Sequence, residues 1–223
     1  MFKNYFIIAL RNLRKQKGYS IINIFGLAIG LATCLLITLY VTDELSYDRY
    51  VANANRIYRI NTDIRFGGST LHMTQTSDMM GQLLQKDYPQ VEATTRMYTS
   101  NGSHLIRNGN EFINEPRVAN VDSSFFDVFP LASIEGNTKT ALLEPNTVVI
   151  NETTAKKYFH TTHALGKTVE VKNGQTTIPY KVTAVIEDIP RQSHFNLDFM
   201  FSMKNADYQW GQMTSHNFHT YLL

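Results

Sequence analysis

The sequence predicts an α+β protein, with one N-terminal transmembrane helix followed by a mixed α/β domain outside the membrane. Three observations point there. Ser20 to Val41 is a run of 22 residues without a charge. As a helix it spans about 33 Å, against about 30 Å of bilayer hydrocarbon. Beyond Asp43, short stretches switch between helical spacing and period-two alternation, bounded by Gly, Pro or Asn. With 43% hydrophobic residues and a net charge of only +2, the chain has apolar material for one or two packed cores.

Taken in order, residues 2–13 come first. On a helical wheel Phe2, Tyr5, Phe6, Ala9, Leu10 and Leu13 share one face, while Lys3, Asn4, Arg11, Arg14 and Lys15 share the other, with Ile7 the exception. That pattern suits a helix lying in the cytoplasmic interface of the membrane, within a segment 1–18, or an amphipathic helix packed on protein. Gly18 is expected to relax the turn into the span, segment 19–42. A cleaved signal peptide would have an apolar stretch of about 7–15 residues and a small-x-small exit. This run is longer and leaves through Leu39-Tyr40-Val41-Thr42-Asp43. A lipoprotein would turn polar after Cys34, whereas apolar residues continue, so the span is expected to stay in the membrane. Lys3, Arg11, Arg14, Lys15 and Lys17 all precede it and no acid does, which places the N-terminus inside and residues from Asp43 onward outside. Gly26 and Gly30 form a Gly-x-x-x-Gly pair that would let a second helix approach closely.

In the body, "RIYRINTDIRF" (56–66) reads as a strand ended by Gly67-Gly68. Residues 75–88 read as a helix with Met79 and Met80 as core filler, and strands are expected around 93–107 and 111–121. "DSSFFDVF" (122–129) reads as a short helix capped by Asp122 and ended by Pro130. "TVVINETTAKKYF" (147–159) is a strand feeding a helix: Asn151 caps it, Glu152 opens it, and Lys156 and Lys157 lie toward its end. A hairpin turning at Asn173-Gly174 follows, with Pro179 marking an edge or a bulge.

The chemistry is mostly exclusion. The 16 basic and 19 acidic residues of 43–223 give that region a net charge of −3, which is no nucleic-acid footprint. Cys34 is the sole cysteine and lies in the span, so the body has neither a disulfide nor a cysteine metal site. There is no P-loop, no Gly-x-Ser-x-Gly and no His-Glu-x-x-His. His160 with His163, and His216 with His219, have a helical ligand spacing without further ligands, and read as solvated or locally bonded. Asp43, Glu44 and Asp48 read as a solvated acidic flank rather than a cation site. Asn101 and Asn151 each match the glycosylation pattern, a frequent chance match. No catalytic residue, cofactor or metal ligand is expected.

Eight blocks in order carry a resemblance: "ALRNLRKQKGYSIINIFGLAIG", "DELSYDRY", "RIYRI", "SSFFDVFPLASIEGN", "VVINETTAKKYF", "ALGKTVEV", "YKVTAVIEDIP" and "SHFNLDF". Together they resemble the start of FtsX/MacB-type ABC transporter permeases, most closely the stand-alone permeases common in Bacteroidetes. The resemblance implies that 43–223 is a MacB-like periplasmic core domain, with a porter-like part at about 43–130 and an inserted subdomain at about 131–200. It implies a bacterial inner-membrane location and a truncated permease, ending inside or just past the inserted subdomain. It also implies mechanotransmission: a separate cytoplasmic ATPase subunit, which alone hydrolyses ATP, drives movement of the periplasmic domain. A second permease copy or homologue completes the dimer, and a periplasmic adaptor is allowed as a further partner. The alternatives are a single-pass anchored binding or sensor module and, against the missing active site, an extracytoplasmic enzyme.

Overall fold

The structure, a computed structural model, describes residues 2–99, 102–206 and 215–223. It divides into two units, Met1–Tyr47 and Asp48–Leu223. In the first, α1 (Phe2–Lys15) and α2 (Lys17–Glu44) are separated by one residue. The break falls at Gln16 (φ −114°, ψ 58°) and Gly18 is helical, which corrects the turn expected at Gly18. A single Gly costs about 1 kcal/mol inside a helix, and a long apolar helix absorbs that. α2 is exposed along its length and, with mean hydropathy 2.3, is long and apolar enough to cross a membrane. Its Thr33 and Thr38 hydroxyls donate to the carbonyls of Ile29 (2.9 Å) and Cys34 (2.8 Å), so they need no water within an apolar medium.

The second unit runs β1 (Tyr58–Arg59), β2 (Thr62–Phe66), β3 (Ser69–Met73), β4 (Thr76–Ser77), α3 (Met80–Asp87), β5 (Thr94–Tyr98), β6 (His104–Asn108), β7 (Glu111–Glu115), β8 (Val118–Val121) and α4 (Phe125–Val128). It continues through β9 (Ser133–Gly136), β10 (Thr147–Asn151), α5 (Glu152–Phe159), β11 (Thr168–Asn173), β12 (Thr176–Ile186), β13 (Phe199–Ser202) and β14 (His216–Leu222). A 12-stranded sheet has the order β1-β14-β5-β8-β13-β10-β12-β11-β6-β7, with β4 on β14 and β9 on β12. β10 pairs parallel with β12, and β13 with β8; its other pairs are antiparallel. Strands from both halves of the domain therefore share one sheet, with β13-β10-β12-β11 set between β8 and β6. β2 and β3 form a sheet of their own.

The central strands are buried on both faces, as their runs of apolar residues require. Along β10, Val149 faces one core with Met200, Ala184 and Ile186, while Val148 and Ile150 face the other with Phe199, Phe201 and Val182. α4 closes the first core with Phe125, Phe126 and Val128, and α5 closes the second with Ala155, Tyr158 and Phe159. The expected cap holds: the Asn151 side chain accepts the Thr154 N–H at 2.9 Å, and Glu152 pairs with Lys156 one turn on. Being a 4%-exposed cap, Asn151 is closed to a glycan; Asn101 lies outside the described residues.

Four local expectations change. The strand at 56–66 is interrupted, and Gly67-Gly68, which ends β2 as expected, also turns the chain back into β3. The helix at 75–88 begins only at Met80, because Thr76 and Ser77 pair with β14. The two strands expected at 93–107 and 111–121 are four: the first divides into β5 and β6, and the second into β7 and β8 at Pro116-Arg117. Asp122 does not cap α4, whose N-cap is Ser124; its carboxylate instead accepts the backbone N–H and the guanidinium of Arg96 at 2.8–2.9 Å. Arg96 also pairs with Asp78, so one half-buried cation is held between two carboxylates. Pro179 behaves as expected: it pairs with Glu170 on one side, and β10 and β9 join β12 only from Lys181 and Ala184 onward.

Candidate functional site

Asp48 is where the chain enters the second unit, and it takes a left-handed backbone conformation (φ 58°). Asp is among the few residues that tolerate this. The turn aims both its peptide group and its side chain at residues 192–194. Its N–H donates to the Gln192 carbonyl at 2.8 Å, and Oδ1 accepts the His194 backbone N–H at 3.0 Å. The same oxygen lies 2.8 Å from His194 Nδ1, and Tyr50 Oη lies 2.8 Å from Ser193 Oγ. Residues 48–50 are thus stitched to 192–194 through backbone and side chains together. Asp48 is a bonding carboxylate, a correction to its reading as solvated flank; Asp43 and Glu44 are exposed.

His194 continues the chain inward. With Asp48 ionised, Nδ1 carries the proton and Nε2 accepts from Tyr221 Oη at 3.0 Å. Tyr221 belongs to β14 and is 2% exposed. Burial pushes its hydroxyl up to about 12, against Arg59 and assisted by Asp48, so it stays protonated and remains a donor. The imidazole sits in an aromatic cluster, 4.7 Å from the Phe195 ring, 5.3 Å from Tyr221 and 6.0 Å from Phe129. Phe129 in turn lies 5.0 Å from both Phe195 and Tyr221.

Three segments meet there: the entry turn at Asp48, the loop between β12 and β13, and the last strand. A groove of about 340 Å³ opens beside them, lined by Val51, Ala54, Ile57, Arg59, Phe129 and the clasp residues. Chemically the arrangement fastens rather than reacts. Its hydroxyl is buried and spent on His194, and hydrogen bonds to a charged group contribute about 1.5–3 kcal/mol each. Sequence reasoning missed His194 as a functional residue. Its signal lay in two of the quoted blocks, "DELSYDRY" and "SHFNLDF", which the fold brings together across 146 residues.

The other singled-out residues lie elsewhere. Gly26 and Gly30 are exposed on α2, and a Cβ at either would meet nothing within 4 Å. Arg11, Arg14 and Lys15 are exposed on α1, Lys17 opens α2, and Lys3 lies in α1. His160 is the left-handed C-cap of α5, and His163 lies 3.6 Å from Glu135. His216 and His219 share strand β14, which is irregular between His216 and Phe218. Among the described residues no cluster of three or more His, Cys, Asp or Glu could hold a metal.

Known proteins share this arrangement of strands. A domain of a Porphyromonas gingivalis protein described as a permease superposes with TM-score 0.66 at 21% identity, covering 77% of this chain and 76% of its own. The periplasmic region of MacB from Actinobacillus actinomycetemcomitans superposes with TM-score 0.54 at 19% identity, covering 80% and 78%. In sequence, an uncharacterised ABC transporter permease of Bacillus subtilis (strain 168), YvrN, is 26% identical over 205 residues, 86% of this chain. The chain spans about half of that relative, 49% of its length. The family model described as the MacB-like periplasmic core domain matches residues 20–221, and the chain belongs to that family, with an ABC transporter permease-type domain.

Proposed function

We propose that this chain acts as a permease subunit of an ABC transporter of the mechanotransmission type. A separate cytoplasmic ATPase supplies the movement, α2 carries it across the bacterial inner membrane, and residues 43–223 deliver it in the periplasm to cargo or an adaptor. Lys3, Arg11, Arg14, Lys15 and Lys17 hold the N-terminus in the cytoplasm. Gly26 and Gly30 form the face on which the span of a second copy packs. Residues 43–130 serve as the porter-like part and 131–200 as the inserted part. The family supports the reading at the level of a permease-type domain, and permease relatives are transporter components rather than enzymes.

The observation that carries the coupling is the Asp48–His194–Tyr221 clasp. A pull on the chain at Asp48 passes directly to the 187–198 loop and to β14 instead of being lost in a slack linker. The test pairs the full-length permease with its ATPase in nanodiscs, using a Cys34→Ser background and spin labels at Lys139→Cys. ATP should change the label-to-label distance, and Asp48→Ala should remove at least about half of that change while ATP hydrolysis continues, since it deletes two hydrogen bonds to His194. A full-sized change in Asp48→Ala would sink coupling through the clasp. No ATP-dependent change in the unsubstituted complex would sink mechanotransmission itself.

A further inference from the structure

The β2–β3 hairpin departs from the rest of the domain. Both legs of its base are held by β14, with Ile60 N–H bonded to the Thr220 carbonyl and Thr76 paired with Phe218. Its two strands pair only with each other among the described residues. One face carries Ile64, Phe66, Leu71 and Met73, and the other carries Asp63, Arg65, Thr70 and His72. The apolar face is open toward the turn, where Phe66 is 87% exposed and Leu71 59%, while Ile64 and Met73 are half-buried. A two-stranded ribbon is marginal alone, and an exposed edge without Pro or bulge invites a further strand.

The edge also has a charge order. Phe66 and Ser69 flank the two-residue turn as a hydrogen-bonded pair, so the peptide groups of Asp63 and Arg65 point away from β3. Asp63 Oδ1 lies 2.6 Å from His72 Nδ1 across the ribbon, while Arg65 is exposed with no carboxylate partner among the described residues. An acid and a base two residues apart complement an identical strand running antiparallel. Turned about a two-fold axis at Ile64, each Asp63 faces an Arg65 and each Thr62 faces a Phe66.

We infer that β2 is an interface strand that pairs antiparallel with β2 of a second copy of this chain about a two-fold axis at Ile64. The product is a four-stranded sheet, β3-β2-β2-β3, whose apolar faces merge and whose polar side carries two His72–Asp63–Arg65 rows. The inference rests on the paired permease proposed above and adds where the two copies touch.

Single cysteines in the full-length chain (Cys34→Ser), oxidised mildly in membranes, test it. At Ile64→Cys the two Cα atoms would stand about 4.5 Å apart, within disulfide reach. At Thr62→Cys or Phe66→Cys each residue lies four positions, about 14 Å, from its own copy and should not cross-link. Asp63→Arg should lower the Ile64→Cys yield about fivefold, and adding Arg65→Asp should restore it. The mass of the unsubstituted chain in nanodiscs is read alongside. A dimer by mass with no cross-link at 64, or with equal yields at 62, 64 and 66, overturns this interface and leaves the paired permease standing. That result would assign the hairpin face to another protein or to lipid. A monomer without cross-links overturns both.

Discussion

Hairpin β2–β3 turns through Gly67-Gly68 and hairpin β11–β12 through Gly174-Gln175, each a two-residue loop whose first glycine has positive φ, 57° and 60°. Both have an apolar face built by alternation. Their surroundings differ. β12 gains β10 as a parallel neighbour and buries Val182, Ala184, Val185 and Ile186 completely, while β2 and β3 gain no third strand among the described residues of one chain and leave Phe66 and Leu71 in solvent. Local chemistry thus decides that a hairpin forms, and the neighbouring strand decides whether it contributes to stability.

The strongest way to break this comparison is to truncate one apolar side chain in each hairpin. Ile186→Ala empties a fully buried site between α4 and the sheet, and should cost about 2–5 kcal/mol in urea unfolding of the full chain in detergent. Leu71→Ala removes a side chain that is mostly in water, and should change stability by no more than about 0.5 kcal/mol in the monomer. Equal losses would mean that the β2–β3 face is covered within a single chain.

A smaller effect sharpens the same contrast through the turns. Gly174→Val and Gly67→Val impose a similar left-handed strain, about 1–2 kcal/mol. At Gly174 the strain should appear in global unfolding, because β11–β12 unfolds only with the sheet. At Gly67 it should leave global stability within about 0.5 kcal/mol and instead speed amide hydrogen exchange across 62–73 by about tenfold. A global loss from Gly67→Val would show that the small ribbon is part of the cooperative unit.

The hairpins also show what was legible in the sequence. Asn173-Gly174 announced β11–β12, although the loop forms one residue later, at Gly174-Gln175. Gly67-Gly68 marks the end of β2 as expected, and the break expected between 107 and 111 is the loop of β6–β7; what the sequence reading lacks at both places is the pairing of the flanking strands into hairpins. The span and the β10–α5 unit were legible because their causes are local: an uncharged run long enough for a bilayer, and an Asn cap between a buried strand and an amphipathic helix. The losses have distant causes. Thr76 and Ser77 leave their expected helix for β14, and Asp122 leaves its expected cap for Arg96. The clasp was invisible for the same reason, since nothing local to Asp48 specifies a histidine 146 residues away. Its two blocks could be recognised, but their meeting could not be derived.

The smallest expected effect is electrostatic and reads burial on β12 without removing packing. Tyr180 is 9% exposed, its ring 4.7 Å from that of Phe201, and burial raises its hydroxyl above the ordinary value of 10.0. The unfolded chain therefore releases this proton first as pH rises, while the folded chain still holds it. The corresponding stability is fully present below pH 10.0 and is lost as pH climbs from there through the raised folded value. Tyr180→Phe should make the fall in melting temperature above pH 10.0 shallower while leaving the midpoint near neutrality almost unchanged. Tyr221, pushed up to about 12 and also largely by burial, adds a slope of the same sign, so Tyr180→Phe should flatten the curve only in part. A curve identical to that of the unsubstituted chain would mean that the Tyr180 hydroxyl reaches water. The far end of β12 would then be as open as the β2–β3 ribbon, and the contrast between the two hairpins would hold only near β10.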